Sequence, residues 1–174
     1  METYEAIRTK RDTRAFAATP IPEEELERIV RAGRMAGSAK ALQPVRLVVV
    51  REQEQRERLA ACGRSTAHML AATVVVVIVL VPEEGVVGRP FALFRGPFDA
   101  GRAGQNMMLA AWEHGITSCP VTMHDERAAA EVLGLPEGHF VINTITFGYP
   151  EGIDPVQGKR PRLPVDDYAH WERW

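Results

Sequence analysis

The chain has 174 residues, of which 45% are hydrophobic and 25% are charged, and its net charge is −2. These values are typical of a globular protein and exclude disordered and fibrous chains, and the length predicts a single domain over residues 1–174. The 21 basic and 23 acidic residues are interspersed, so the one-sided basic excess that nucleic-acid binding requires is absent, and we expect no nucleic-acid partner.

The first half of the sequence predicts two helices and two strands, with a short surface helix between the strands. The first helix ends at the basic run TKRDTRAF, residues 9–16, where cations offset the partial negative charge of the free helix carbonyls. The second helix begins at Pro22, and three glutamates follow in its first turn. Residues 47–50 and 74–80 are β-branched runs without polar alternation, which is typical of strands buried on both faces. Residues 52–61 predict the surface helix between them. The apolar face of the second helix consists of Leu26, Ile29, Val30 and Gly33.

The second half predicts a long helix, a capped helix and a third strand. Small and apolar residues at helical spacing predict a helix over residues 99–114, which we expect to be the central helix of the fold. Residues 83–97 before it are predicted to form a loop. Asp125 can cap a further helix that runs to Leu133, and residues 141–147 alternate well enough to predict a strand.

The tail, from residue 151 onwards, changes in composition. Gly, Pro, Asp and basic residues dominate it, and no regular period continues to its end. It nevertheless contains Trp171 and Trp174, whose aromatic side chains would be costly to leave in water. We therefore expect the tail to dock on another surface. It also carries a second basic cluster, KRPRLP, residues 159–164.

The cysteines and the apolar segments bear on the compartment. Cys62 and Cys119 form neither a CxxC pair nor the dense disulfide framework of a small secreted domain. The N-terminal sequence lacks the apolar core of a secretory signal. The longest largely apolar run, residues 69–81, is shorter than the roughly 18 to 20 residues that span a bilayer. We therefore expect a cytoplasmic protein without a membrane partner.

Several familiar sites are excluded because their residue spacing is absent. The sequence has no GxGxxG after a strand, no GxxxxGKS/T, no GxSxG and no HExxH. The five histidines do not stand at metal-ligand spacing with one another or with the cysteines, so we expect no metal site. Cys119 precedes a segment that looks buried, and we favour a small core residue there over a nucleophile.

The two basic clusters, residues 9–16 and residues 159–164, could converge on one phosphate. Arginine suits this task because its planar guanidinium can make two charge-assisted hydrogen bonds to a single phosphate. The alternative is a solvated basic turn at each of the two places. The residues alone leave both interpretations open.

Five segments of the sequence resemble the nitroreductase family. They are residues 8–16, residues 36–46 (AGSAKALQPVR) with the strand that follows, residues 99–115, residues 133–138 and residues 147–150 (FGYP). The resemblance covers nearly the whole chain in the right order. It implies an α+β, nitroreductase-like fold with a central mixed or antiparallel sheet flanked by helices. It also implies a homodimer that binds FMN at the subunit interface, with a C-terminal extension, residues 154–174, that embraces the partner.

The resemblance assigns the two basic clusters to the phosphate and ribityl chain of FMN. Asp12 stands where serine is common in the family. Because a carboxylate would repel a phosphate, we expect Asp12 to accept a hydrogen bond from a ribityl hydroxyl or to hold a neighbouring arginine. The residues that the resemblance implies here are Lys10, Arg11, Asp12, Arg14, Arg160 and Arg162.

The resemblance brings two further segments to the flavin ring. Thr122 and Met123 stand where family members often have a glycine pair, and their backbone N–H groups are expected to approach the ring. The second motif of the family is supplied by the other subunit. Its matching residues in this chain are Ser38, Ala39 and Gln43. In the same motif Gly37, Ala41 and Val45 stand where proline, asparagine and tryptophan are usual.

The activity that the resemblance implies is a ping-pong reduction. NAD(P)H, as a transient hydride donor, reduces the flavin and leaves, and a nitroaromatic, a quinone or a related acceptor then takes its place. No residue is needed as a dedicated acid or base, and the missing Rossmann fingerprint fits a nicotinamide that is a substrate. Two alternatives stay open: an enzyme similar to dimethylbenzimidazole synthase, which fragments reduced flavin with oxygen, and a flavin- or deazaflavin-binding protein without turnover. The second is suggested by the altered residues Ala41 and Thr122.

Overall fold

The computed structural model describes residues 1–82, 89–152 and 162–174, which form seven α-helices and four β-strands. The helices are α1 (Thr3–Thr9), α2 (Glu23–Arg34), α3 (Gln53–Ala60), α4 (Ala67–Ala71), α5 (Arg89–Glu113), α6 (Glu126–Val132) and α7 (Val165–Tyr168). The strands are β1 (Val45–Val50), β2 (Val74–Leu80), β3 (Thr117–Val121) and β4 (Phe140–Gly148).

The four strands form one antiparallel sheet in the order β1-β2-β4-β3. Alternate residues of β2 point to opposite faces and enter two separate cores. Val76 and Ile78 pack on the side of α2 and α5, whereas Val75 and Val77 pack on the side of α3, α4 and α6. The expected α+β fold, with a sheet flanked by helices, is thus confirmed.

The two valine-rich strands are confirmed, but only one of them is fully buried. All seven residues of β2 are buried because neighbours pair with it on both sides. In β1, which is an edge strand, only Val50 is buried. The prediction that residues 47–50 are buried on both faces was therefore wrong: Leu47, Val48 and Val49 are half-buried.

Helix α5 confirms the expected central helix but begins earlier than predicted. It contacts all four strands and also α1 and α2. It starts at Arg89 and continues through Pro97, so the loop predicted up to residue 97 was wrong for the part after residue 88. Proline usually ends a helix. Here the neighbouring Gly96 lies so close to β2 that an added Cβ would be 2.5 Å from Leu80 Cδ1, and this packing holds the turn in place. The rest of that predicted loop, residues 83–88, lies outside the described residues.

The remaining elements largely follow the sequence. In α2, Leu26, Ile29 and Gly33 are buried and Val30 is half-buried. The N-terminus of α6 is capped by Asp125, whose Oδ1 accepts a hydrogen bond from the Ala128 N–H at 2.8 Å. The short surface helix α3 and strand β4 are also confirmed. The strand β3 was not predicted.

The tail forms only the short helix α7 among its described residues. Trp171 is 78% exposed and Trp174 is fully exposed in the single chain. Docking of these side chains on a second subunit therefore stays a prediction. Within the part of the chain that the structure describes, no helix has both the length and the apolar character needed to cross a membrane.

Candidate functional site

The basic run at residues 9–16 lies along the outer edge of β3. Asp12 forms a bridge with Ser118, and the Thr13 N–H donates to the Ser118 carbonyl at 3.0 Å. A second bridge joins Phe16 to Pro150. These bonds hold the run in an extended conformation against the sheet, so its side chains have fixed positions relative to β3.

The charged side chains of this run are partly engaged with one another. The Lys10 ammonium pairs with the Asp12 carboxylate and also lies 3.4 Å from Met108 Sδ on α5. Arg11 donates to the carbonyls of Arg8 and Lys10, both at 2.8 Å, and so satisfies the end of α1. Asp12 therefore pairs with a lysine in place of the neighbouring arginine that was one of its two expected partners. A hydrogen bond from a ribityl hydroxyl, the other expected role, stays a prediction.

Arg14 is the cation of this run that faces two buried groups. Its side chain is exposed, and its charge acts on both Cys119 and His68. Burial raises the pKa of the Cys119 thiol, and Arg14 opposes this rise. Cys119 is 1% exposed and unpaired, which confirms the predicted core cysteine.

Four buried side-chain atoms lack a hydrogen-bond partner among the described residues: Arg56 Nε, His68 Nε2, Ser118 Oγ and Thr144 Oγ1. His68 is the one on which the charge of Arg14 acts, and it is 8% exposed. A buried polar atom without a partner costs about 1 to 3 kcal/mol, and a ligand that reaches His68 Nε2 would remove this cost. His68 was not predicted as a site residue, because a single histidine next to an apolar run gives no signal that separates it from a core residue.

His68 makes the stability of the chain depend on pH. Burial lowers its pKa below the ordinary value of 6.5, and the charge of Arg14 lowers it further. Well above pH 6.5 the imidazole is neutral in both the folded and the unfolded chain, so His68 does not lower the free energy of unfolding. Below it the unfolded chain takes up a proton first, and the free energy of unfolding falls as the pH falls.

We therefore expect His68→Asn to flatten the stability profile measured by urea denaturation between about pH 7 and pH 5. His124→Asn is the matched control because His124 is exposed, and it should leave the slope of the profile unchanged. Equal slopes in the wild type and in His68→Asn would contradict this assignment.

The second motif is a strained segment anchored by α5. Ser38 Oγ accepts a hydrogen bond from the Gln43 N–H at 2.8 Å, and the Ala39 N–H donates to Asp99 Oδ2 at 3.0 Å. Lys40, Ala41 and Gln43 have φ values of 53°, 57° and 50°. This left-handed conformation costs a residue other than glycine about 1 kcal/mol. The buried Asp99, which the sequence suggested only as a helix start, is thus an anchor of the motif.

The remaining candidates are only partly positioned. Thr122 and Met123 directly follow β3; the Thr122 side chain is exposed, and the Met123 side chain is buried in the core. Arg162 is exposed, whereas Arg160 lies outside the described residues. Among residues 1–82, 89–152 and 162–174, no group of three His, Cys, Asp or Glu side chains is placed to hold a metal ion.

The first and second motifs lie at opposite corners of the sheet in one chain. The first motif borders β3, three strands away from β1, which corresponds to about 14 Å across the sheet. Ser118 aligns through Phe147 with Val74 of β2, whereas Val45 aligns with Leu80. Those six residues add about 20 Å along the strands. One chain therefore does not bring the two motifs together.

Comparison with known proteins identifies the family. The family model described as the nitroreductase family matches residues 7–67 and 63–149. The chain belongs to the nitroreductase family. This confirms the resemblance seen in the sequence, and with it an oxidoreductase related to enzymes that use NAD(P)H.

Individual nitroreductase-family relatives agree with this assignment. The NADPH-flavin oxidoreductase of Vibrio harveyi is 30% identical over 97% of this chain and 72% of its own length. The NADH dehydrogenase of Thermus thermophilus is 27% identical over 98% of this chain and 96% of its own length.

Solved structures of the nitroreductase family are similar over the whole chain. Nitroreductase A of Vibrio parahaemolyticus has a TM-score of 0.89 at 28% identity. The match covers 100% of this chain and 78% of the nitroreductase A chain. The NADPH:FMN oxidoreductase of Vibrio harveyi in complex with NAD⁺ has a TM-score of 0.88 at 29% identity. The match covers 99% of this chain and 77% of the Vibrio harveyi chain.

Proposed function

We propose that the chain is an FMN-dependent reductase that works as a homodimer. It takes hydride from NADH or NADPH and passes it to a nitroaromatic, a quinone or a related small acceptor in a ping-pong cycle. The observation that carries the proposal is the polar site beside β3. There the charge of an exposed arginine, Arg14, acts on His68, whose buried Nε2 has no hydrogen-bond partner among the described residues.

The residues present fit a flavin mononucleotide at this place. Lys10, Arg11 and Arg14 together with Asp12 give the run a net charge of +2, from three cations and one carboxylate, which suits a phosphate. The ion pair between Lys10 and Asp12 reduces the repulsion that a free carboxylate would exert on that phosphate. The tail would add Arg160 and Arg162 to the same anion.

The separation of the two motifs in one chain supports a site formed by two copies. In a homodimer, Ser38, Ala39 and Gln43 of one subunit would contact the flavin held by the basic run of the other. Contact with the flavin would then explain why Gln43 keeps a strained, left-handed backbone, since strained backbone concentrates at binding sites. The exposed tryptophans of the tail would be covered by the embrace of the partner.

When bound, FMN supplies the hydride chemistry, and the protein supplies binding and orientation. Arg14 and Lys10 would fix the phosphate and ribityl end, while the backbone N–H groups of Thr122 and Met123 would face the ring. His68, neutral because of its lowered pKa, can donate or accept one hydrogen bond at this site. No residue of the chain has to act as an acid or base.

The visible absorption spectrum tests this proposal. After FMN is added and the unbound fraction removed, the protein should keep the flavin bands, and anaerobic NADPH or NADH should bleach them. Retained bands that neither donor bleaches would favour a flavin- or deazaflavin-binding protein. Flavin that is fragmented during aerobic turnover would favour the activity of dimethylbenzimidazole synthase. If no flavin is retained, the proposal is wrong.

A further inference from the structure

A cavity of about 590 Å³ lies between α2, the segment of residues 36–43, β1 and α5. Its volume falls within the range of sites for small molecules. Apolar side chains form much of its lining, including Val30, Leu42, Val45 and Leu47. The cavity thus offers an apolar surface of the kind that a planar ring requires.

The charges that line this cavity are mainly positive. Arg34 is exposed and has no hydrogen-bond or ion-pair partner among the described residues. Arg46 donates to the carbonyls of Gln43 at 2.7 Å and Val45 at 3.0 Å, which fixes its position, and it has no carboxylate partner in the part of the chain that the structure describes. The lining carboxylate, Asp99, is already engaged by the Ala39 N–H. In a chain with a net charge of −2, this arrangement selects for an anion.

Two small residues shape this cavity and its surroundings. Val45 stands where tryptophan is usual in the family, and its side chain lines the cavity. Gly37 has no Cβ, and one would lie 2.6 Å from Arg102 Nη2. Arg102 therefore approaches the segment closely, and its guanidinium lies 3.8 Å from Asp99 Oδ1, so it offsets the charge of the carboxylate that lines the cavity.

We propose that this cavity binds the 2′-phosphorylated adenosine end of NADPH, and this inference rests on the proposed function. The adenine ring lies on the apolar lining, and Arg34 and Arg46 bind the 2′-phosphate, for which arginine has the matching planar geometry. Ser38 and Gln43, which face the partner's flavin in the proposed homodimer, also line the cavity. The nicotinamide end then extends to that flavin. NADH lacks the 2′-phosphate, so the site gives a preference for NADPH.

Calorimetric titration with adenosine 2′,5′-bisphosphate tests the site without added flavin. The bisphosphate should bind at least about 10-fold more tightly than AMP. Arg34→Gln and Arg46→Gln should each weaken bisphosphate binding by about 10- to 100-fold and leave AMP binding unchanged. Both arginines are exposed, so neither change should unfold the chain. The control Arg127→Gln removes the same charge from the exposed face of α6 and should have no effect.

Two further measurements complete the test. Val45→Trp keeps both cations but fills the cavity, and it should abolish binding of the bisphosphate. In turnover with bound flavin, Arg34→Gln should lower the ratio of kcat/KM for NADPH to that for NADH by about 10- to 100-fold.

Equal binding of the bisphosphate and AMP would overturn the inference. So would arginine variants that alter only dimer dissociation, because the cavity would then belong to a contact between two copies. These outcomes are independent of the proposed function, because the titrations require no flavin. Tight bisphosphate binding by a chain that retains no FMN would support the cavity and refute the reductase.

Discussion

Phe147→Ala is expected to lower the free energy of unfolding by about 3 to 5 kcal/mol. Phe147 is 0% exposed and pairs in the sheet with Val74 of β2 and Ser118 of β3. Its ring belongs to the core between the sheet and α2 and α5, together with Ile29 and Met107. Protein interiors are close-packed, so the surrounding side chains can fill the space left by the ring only in part.

Urea denaturation at one fixed protein concentration measures this loss, because self-association would itself add to the apparent stability. Phe98→Ala is the matched control: it deletes the same ring at a position that is 70% exposed. Substitutions at exposed positions usually change stability by less than about 0.5 kcal/mol. Similar losses in the two variants would contradict the assigned packing of β4.

The difference between β1 and β2 shows what the sequence can predict about the sheet. Both strands are valine-rich runs without alternation, and local composition correctly predicts that both are strands. Their burial differs because β2 pairs on both sides whereas β1 lies at the edge. Strand order depends on contacts between distant parts of the chain, and no local pattern contains this information.

Proline explains two of the differences between the predicted and the observed elements. Pro97 lies inside α5, where the general rule predicts a break. Pro120 lies inside β3, and a strand tolerates proline at the edge of a sheet because no partner needs its N–H. In both places the tertiary position, close packing in one and the edge of the sheet in the other, decides the local structure.

The sequence predicts the site residues that form a cluster of charges along the chain. It does not predict those that come together only when the chain folds. The run of residues 9–16 stands out by its density of cations. His68 and Asp99 do not stand out. His68 matters because the charge of Arg14 acts on it and because its buried Nε2 has no hydrogen-bond partner within the described ranges. Asp99 matters because it holds Ala39, which is 60 residues away in sequence. Only the fold creates these relations.

Arg14→Ala is expected to weaken FMN binding by about 10- to 100-fold. The reason is the loss of charge-assisted hydrogen bonds, each of which contributes about 1.5 to 3 kcal/mol. Quenching of flavin fluorescence measures the dissociation constant. The Arg14 side chain is exposed, so its removal should leave the free energy of unfolding nearly unchanged, and weaker binding then reports on the site itself. Arg160→Ala should have a similar effect if the tail closes over the same phosphate.

The control for Arg14→Ala is Arg31→Ala, which removes an exposed arginine from α2 that pairs with Glu27 one helical turn away. It should bind FMN as the wild type does.

Titration with riboflavin then locates the contact of Arg14 with the flavin. A loss of affinity seen with FMN alone places Arg14 at the phosphate, and an equal loss with both ligands places it at the ring or the ribityl chain. NMR gives a second readout, because removing the charge of Arg14 removes one cause of the lowered pKa of His68, so that pKa should rise. Unchanged FMN affinity in both Arg14→Ala and Arg160→Ala would refute the convergence of the two basic clusters on one phosphate.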